Sequence, residues 1–141
     1  QVMITEYLHS FISHMNVIVR QIASQNKLSL SQYFTLTNIS ASGVSMSELS
    51  TMLGVDNSTL TRNINVLINR DMVKKSKSDH DRRGYTISLS TAGERVMDKL
   101  QKQMESTLHE FIADIDPASK QILIDVIESL NWKASCYINE L

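Results

Sequence analysis

The sequence predicts a mainly α fold carrying one small two-stranded β ribbon. Three observations predict it. Helix-start and helix-stop residues punctuate the whole chain, the segments between them repeat apolar residues at helical spacing, and only two short stretches, 72–77 and 85–89, break that spacing. At 141 residues the chain forms one domain, 1–141, with a modest core. Hydrophobic residues make up 42% of it and charges of both signs are present, which suits a folded protein and not a disordered one. No apolar run approaches the roughly 20 residues of a membrane-spanning helix, and no charged-then-apolar leader opens the sequence. The lone cysteine, Cys136, excludes an intrachain disulfide framework and fits a reducing cytoplasm. The sequence opens at Gln1, so we take the natural start, with its initiator methionine, to lie upstream.

The elements follow in order. A first helix near 2–26 repeats Ile4, Leu8, Phe11, Ile12, Met15, Ile18, Val19 and Ile22 along one side. Ser29-Leu-Ser-Gln32 fits a capping box, in which serine and glutamine satisfy two orphan amides reciprocally, and opens a helix near 30–41 that Gly43 closes. Ser45-Met-Ser-Glu48 fits the same rule and opens 47–53, which carries Leu49 and Leu53 inward and ends at Gly54. The helix near 57–70 buries Leu60, Ile64, Leu67 and Ile68, leaving Ser58, Thr59, Thr61, Arg62, Asn65 and Asn69 on its other faces. After the ribbon, Thr91-Ala-Gly-Glu94 fits a capping box for a helix near 92–113, and Asp116-Pro117 supplies an N-cap with proline at the first helical position for 117–139. No repeat, linker or low-complexity tract interrupts this order.

Function enters through the fourth helix. Two helices separated only by Gly54-Val55-Asp56 form a helix-turn-helix pattern, and the second is crowded with hydroxyls, amides and an arginine. Such groups donate to phosphates or read base edges and have little hydrophobic reason to be there. Net charge is only −1, but residues 62–83 hold seven basic side chains against three acidic ones, a surplus of four that leaves −5 for the rest. A local basic patch on an acidic molecule is an electrostatic footprint of nucleic-acid binding, although on charge alone a solvated helix-and-hairpin face reads equally well. A helix-turn-helix followed by a ribbon with a basic tip is a winged helix. In that arrangement Lys74 and Lys77 lie along the ribbon, and Arg82 and Arg83 at its tip can enter a narrow minor groove. Asp81 can orient Arg83 through charge-assisted hydrogen bonds; a self-contained ion pair on a turn is the plainer reading of the same residues.

The other chemical candidates read as structural. His9, His14, His80 and His109 make no metal-ligand spacing with Cys136, and Cys136 among Trp132, Tyr137 and Ile138 reads as a buried, inert thiol. There is no phosphate-binding glycine loop, and Asp79 and Asp81 are paired with arginines, so no enzyme, metal or cofactor is expected. The terminal helices carry an apolar load that a small lobe cannot cover. Val96, Leu100, Met104, Leu108, Phe111 and Ile115 recur every three or four residues, and Ile122, Val126, Leu130 and 132–138 continue it. A second copy of the chain is expected to cover them, with packing inside one chain as the alternative.

The sequence resembles the MarR family of bacterial winged-helix transcriptional regulators. The resemblance runs from 28–36 (LSLSQYFTL) through 47–50 (SELS) and 53–62 (LGVDNSTLTR) to 79–83 (DHDRR) and 89–93 (LSTAG), in family order and spacing over about two-thirds of the chain. It implies a winged helix-turn-helix core at 28–90 and N- and C-terminal dimerisation helices at 1–27 and 91–141. It implies a cytoplasmic homodimer on double-stranded, palindromic operator DNA, repressing transcription until a small aromatic or amphipathic effector releases it. Residue by residue it places Ser58, Thr59, Thr61 and Arg62 on the recognition helix, with Asp81 and Arg83 at the wing. The chain departs from the family at Asp71, where glycine is usual and a left-handed turn is required, and at His80, where proline is common. A winged-helix module that binds protein, or a regulator that senses oxidation through Cys136, are the alternative readings.

Overall fold

The computed structural model describes residues 2–78 and 84–141. Its elements in chain order are α1 (Val2–Gln25), α2 (Leu30–Thr37), β1 (Val44–Ser45), α3 (Met46–Leu53), α4 (Asn57–Asn69), β2 (Val73–Lys77), β3 (Tyr85–Leu89), α5 (Thr91–Ile112) and α6 (Pro117–Asn139). The fold is mainly α, as the punctuation implies.

The caps explain where the helices begin. Ser29 closes a full capping box: its hydroxyl accepts from the Gln32 amide at 3.1 Å, and Gln32 Oε1 accepts from the Ser29 amide at 2.9 Å. Asp56 and Asp116 cap α4 and α6, and Gly54 ends α3 with φ +64°, the left-handed conformation that glycine adopts without cost. Three expectations shift. Ser45 caps α3 through the Glu48 amide, but among the described residues Glu48 returns no bond, so only half the box forms. The cap of α5 is Ser90, one residue before the expected Thr91, because the Ser90 backbone is held extended by its own N–H bond to Met72 O. Helix α2 stops at Thr37, where the Asn38 side chain donates to Phe34 O. Gly43 therefore caps no helix; a Cβ there would lie 2.6 Å from Thr86 Cγ2, and glycine lets the chain enter the sheet at φ +90°.

That sheet has one strand more than the ribbon expected from the sequence. Its order is β1-β3-β2, all antiparallel, with Val44 opposite Ile87 and Val73 opposite Leu89. The core lies between it and the helices. Leu36, Leu49, Leu60, Ile64, Leu67, Ile87 and Leu100 are closed to solvent, joined by Val19, Ile22 and Ala23 from the last turns of α1. Each buried leucine, isoleucine or valine among them stabilises the lobe by about 1.5–3 kcal/mol relative to exposure.

Two polar joints fix the long helices to this lobe. Asn26 Nδ2 donates to Gln103 Oε1 at 2.7 Å and Gln103 Nε2 donates to Gln25 Oε1, tying α1 to α5. At the other joint, Asp71 adopts φ +58°, the left-handed turn expected there from the sequence, and the following turn accepts α5. Ser90 Oγ donates to Asp71 O and accepts from the Gly93 amide, while Gly93 lies so close to Met72 that a Cβ would fall 1.9 Å from its carbonyl oxygen. The start of the ribbon and the start of α5 are therefore packed backbone against backbone. Beyond the lobe the helices are uncovered: Ile4, Leu8, Phe11, Ile12, Phe111, Ile122, Val126, Leu130 and Trp132 are exposed, and α6 buries no residue.

Candidate nucleic-acid interface

The interface is built on α4. Leu60, Ile64 and Leu67 anchor its inner face, which turns Ser58, Thr61, Arg62, Asn65, Val66 and Asn69 to solvent. Thr59 is half-buried, and its amide donates to Asp56 Oδ1 at 2.7 Å. Ser58 also donates to Asp56 Oδ1, at 2.9 Å, which commits its hydroxyl proton and leaves its oxygen as an acceptor. The Thr59 amide and side chain, followed by the Ser58 hydroxyl, hold the Asp56 carboxyl below the usual aspartate value. The turn that aims α4 is thus made of charge-assisted bonds.

The ribbon stands beside α4. In β2, alternation puts Val73, Lys75 and Lys77 on one face and Lys74 and Ser76 on the other. Lys75 Nζ lies 4.2 Å above the centre of the Tyr85 ring, a cation–π contact that restrains the long side chain, and Tyr85 pairs directly opposite Lys77. Lys75 and Tyr85 face Asn57 and Thr61 of α4 and Ser47 and Ser50 of α3 across a groove of about 560 Å³. Hydroxyls, an amide and an ammonium group converge there, which is the chemistry that holds a phosphate backbone.

The structure separates residues that the sequence grouped. Lys74 and Lys77, read together, occupy opposite faces of β2, and the groove takes Lys75 instead. Arg70, counted in the basic patch, is turned inward: Nη1 donates to Lys27 O at 2.7 Å and to Gln32 Oε1 at 3.3 Å, pinning the end of α4 to the α1–α2 turn. Asn57, Lys75 and Tyr85 are additions, and the period of two from buried Val73 was the signal that could have found Lys75. Asp81, Arg82 and Arg83, with Asp79 and His80, lie outside the described residues. Cys136 is exposed, not buried, on a helix that buries none of its residues. Among the described residues, no group of three or more His, Cys, Asp or Glu is placed to hold a metal ion, and no helix is long and apolar enough to cross a membrane.

A helix-turn-helix with a polar outward helix, flanked by an antiparallel ribbon whose lysine shares its groove, is a winged-helix DNA-binding lobe. The comparisons agree. The model of the MarR family matches residues 26–84, the segment that carries the helix-turn-helix and the ribbon. It is 25% identical over 132 residues to the HTH-type transcriptional regulator YdgJ of Bacillus subtilis, covering 85% of this chain and 80% of that one. It is 22% identical over 140 residues to the HTH-type transcriptional regulator TcaR of Staphylococcus aureus, covering 95% and 93%. Among solved structures, a MarR protein from Peptoclostridium difficile superposes with a TM-score of 0.79 at 23% identity, covering 97% of this chain and 90% of that one. A MarR transcriptional regulator from Methanosarcina mazei gives 0.80 at 16% identity, covering 95% and 97%. The chain is therefore similar over most of its length to DNA-binding transcriptional regulators of the MarR type, and its fold is theirs.

Proposed function

We propose that the protein works as a cytoplasmic homodimeric repressor on a palindromic operator and is released by a small effector. The observation that carries this reading is the pairing of one exposed polar recognition helix per chain with uncovered apolar faces on α1, α5 and α6. In this division, 28–90 is the DNA-binding lobe and 1–27 with 91–141 form the dimerisation helices. Ile4, Leu8, Phe11 and Ile12 of α1, and Ile122, Val126, Leu130 and Trp132 of α6, are exposed apolar rows of the kind that mark a protein–protein contact. Burial in a two-fold dimer covers them and sets two α4 helices at a fixed spacing.

On DNA, Ser58, Thr61 and Arg62 enter the major groove, with Thr59 completing the turn that aims them. Lys75 and Lys77 hold one phosphate strand, Lys74 serves from the opposite face of the ribbon, and Arg82 and Arg83, with Asp81, reach the minor groove. The joint of Ser90, Gly93, Asp71 and Met72 supports effector control, because a change in the angle of α5 must carry the ribbon with it. An apolar groove of about 640 Å³, lined by Leu8, Phe11, Ile12, Met15, Val19 and Phe34, shares no residue with that joint and lies on the face the second copy covers, so an aromatic or amphipathic effector there acts on the dimer contact itself. Such a ligand relieves repression only as far as it prefers the DNA-incompetent spacing.

Gel shifts against genomic fragments across a salt series, with sedimentation of the free protein, test this reading. The expected result is a dimer whose affinity falls steeply with salt. A monomer that binds protein and no DNA would support the interaction-module alternative. Release of DNA only on thiol oxidation, abolished by Cys136→Ser, would replace the effector by a redox signal.

A further inference from the structure

The outward face of α4 holds a cluster whose chemistry differs from that of the ribbon. Asn65 stands one turn beyond Thr61 and three residues beyond Arg62, so the three side chains are neighbours on the helix surface. Val66 follows, next to Arg62 at i+4, and is 38% exposed although it is apolar. Arg62 is the one charge in this face, whereas the ribbon beside it carries three lysines. A surface built to track phosphates would carry cations here. This one carries an amide and a methyl-bearing side chain.

Asparagine is a weak helix former because its side chain competes with the backbone, and an interior position normally goes to a better residue. The neighbouring Asn63 has an evident structural use, donating to Ser31 on α2. Asn65 has none: among the described residues its amide bonds to nothing. It presents one donor and one acceptor outward, side by side. That pair complements the N6–H donor and N7 acceptor of adenine in the major groove, as a guanidinium complements the O6 and N7 of guanine. An aliphatic side chain complements the thymine methyl group.

We propose that Asn65 reads an adenine in each operator half-site, its Oδ1 accepting from N6 and its Nδ2 donating to N7, while Val66 packs on the methyl of a neighbouring thymine. The assignment rests on the operator-binding reading above. It makes Asn65 a specificity residue, in contrast to Lys75, which holds backbone of any sequence.

The test starts from duplexes selected by the wild-type protein from a random pool. Each adenine of the selected site is then replaced by 7-deazaadenine, which removes N7 and leaves the Watson–Crick pair intact. One position per half-site should weaken wild-type binding by roughly 5- to 150-fold. The same replacement should leave Asn65→Ala binding unchanged, and Asn65→Ala should lose its base preference at that position alone, with its salt dependence and melting temperature retained. Val66→Ala should lose discrimination of thymine from uracil at the adjoining step. Equal effects of every replacement on both proteins, or an Asn65→Ala loss spread evenly over all duplexes, would overturn the assignment while leaving operator binding standing. Failure of the wild-type protein to select any duplex would overturn both.

Discussion

Replacing Gly93 with alanine should loosen the joint between the ribbon and α5. The added Cβ would lie 1.9 Å from Met72 O, 2.9 Å from its carbonyl carbon and 3.3 Å from its Cα. An unstrained carbon–oxygen approach is about 3.3 Å, so the helix must retreat by more than an ångström. The contact is backbone on backbone, and no rotamer change relieves it. Overpacking of this kind costs about 1–3 kcal/mol. The retreat also stretches the Ser90 N–H bond to Met72 O and the Ser90 Oγ–H bond to Asp71 O, each worth about 1 kcal/mol net. Alanine's better helix propensity offsets about 1 kcal/mol. The net loss is therefore about 2–4 kcal/mol, read as a lower midpoint in urea with an unchanged denaturant slope. Operator affinity should fall as well at temperatures where the variant is folded, because the ribbon is seated on the same turn. A variant as stable as the wild type, within about 0.5 kcal/mol, would refute the close approach.

Three further outcomes follow from the site. Lys75→Ala should weaken specific and nonspecific DNA binding alike and reduce the salt slope by about 1, whereas Lys74→Ala, on the other face of β2, should do less; a competition gel shift across salt compares them. Arg83→Ala should cost roughly 1–3 kcal/mol of operator affinity if it enters a groove, with part of that loss shared by Asp81→Ala in a double-mutant cycle. The Asp56 carboxyl titrates lower in the folded chain than in the unfolded one, so its stabilisation is complete above the ordinary aspartate value near 3.8 and is lost as pH falls through the lower folded value. Melting curves over that acid range should show a shallower decline for Asp56→Ala than for the wild type, and parallel declines would refute the cap's role.

Most of this architecture could be read from the chain because its signals are local. Ser29 with Gln32, Asp56, Gly54 and Asp116-Pro117 each act within four residues, and each sits where its chemistry requires. The misreadings arose where distant groups decide. Ser90 and Thr91 can both cap a helix, and the bonds to Asp71 and Met72, about 20 residues back, choose Ser90. Gly43 looks like a helix stop, yet its neighbour is Thr86 across the sheet. Strand β1 has only two residues, too few for any period to show. Arg70 reads as one more cation until Lys27 and Gln32 are seen to hold it. Lys75 differs from these: alternation from Val73 was present in the sequence, and grouping lysines by charge without regard to strand face passed over it.

Hydroxyl-radical footprinting of a bound genomic fragment tests the central claim most directly, since it reports stoichiometry, symmetry and groove contacts together. The account predicts two protected half-sites of inverted sequence, related by a two-fold axis and centred about 34–36 Å apart, or a multiple of that spacing. It also predicts minor-groove protection beside each half-site that disappears in Arg83→Ala. A single asymmetric site protected by a monomer, or symmetric protection that Arg83→Ala leaves intact, would contradict it.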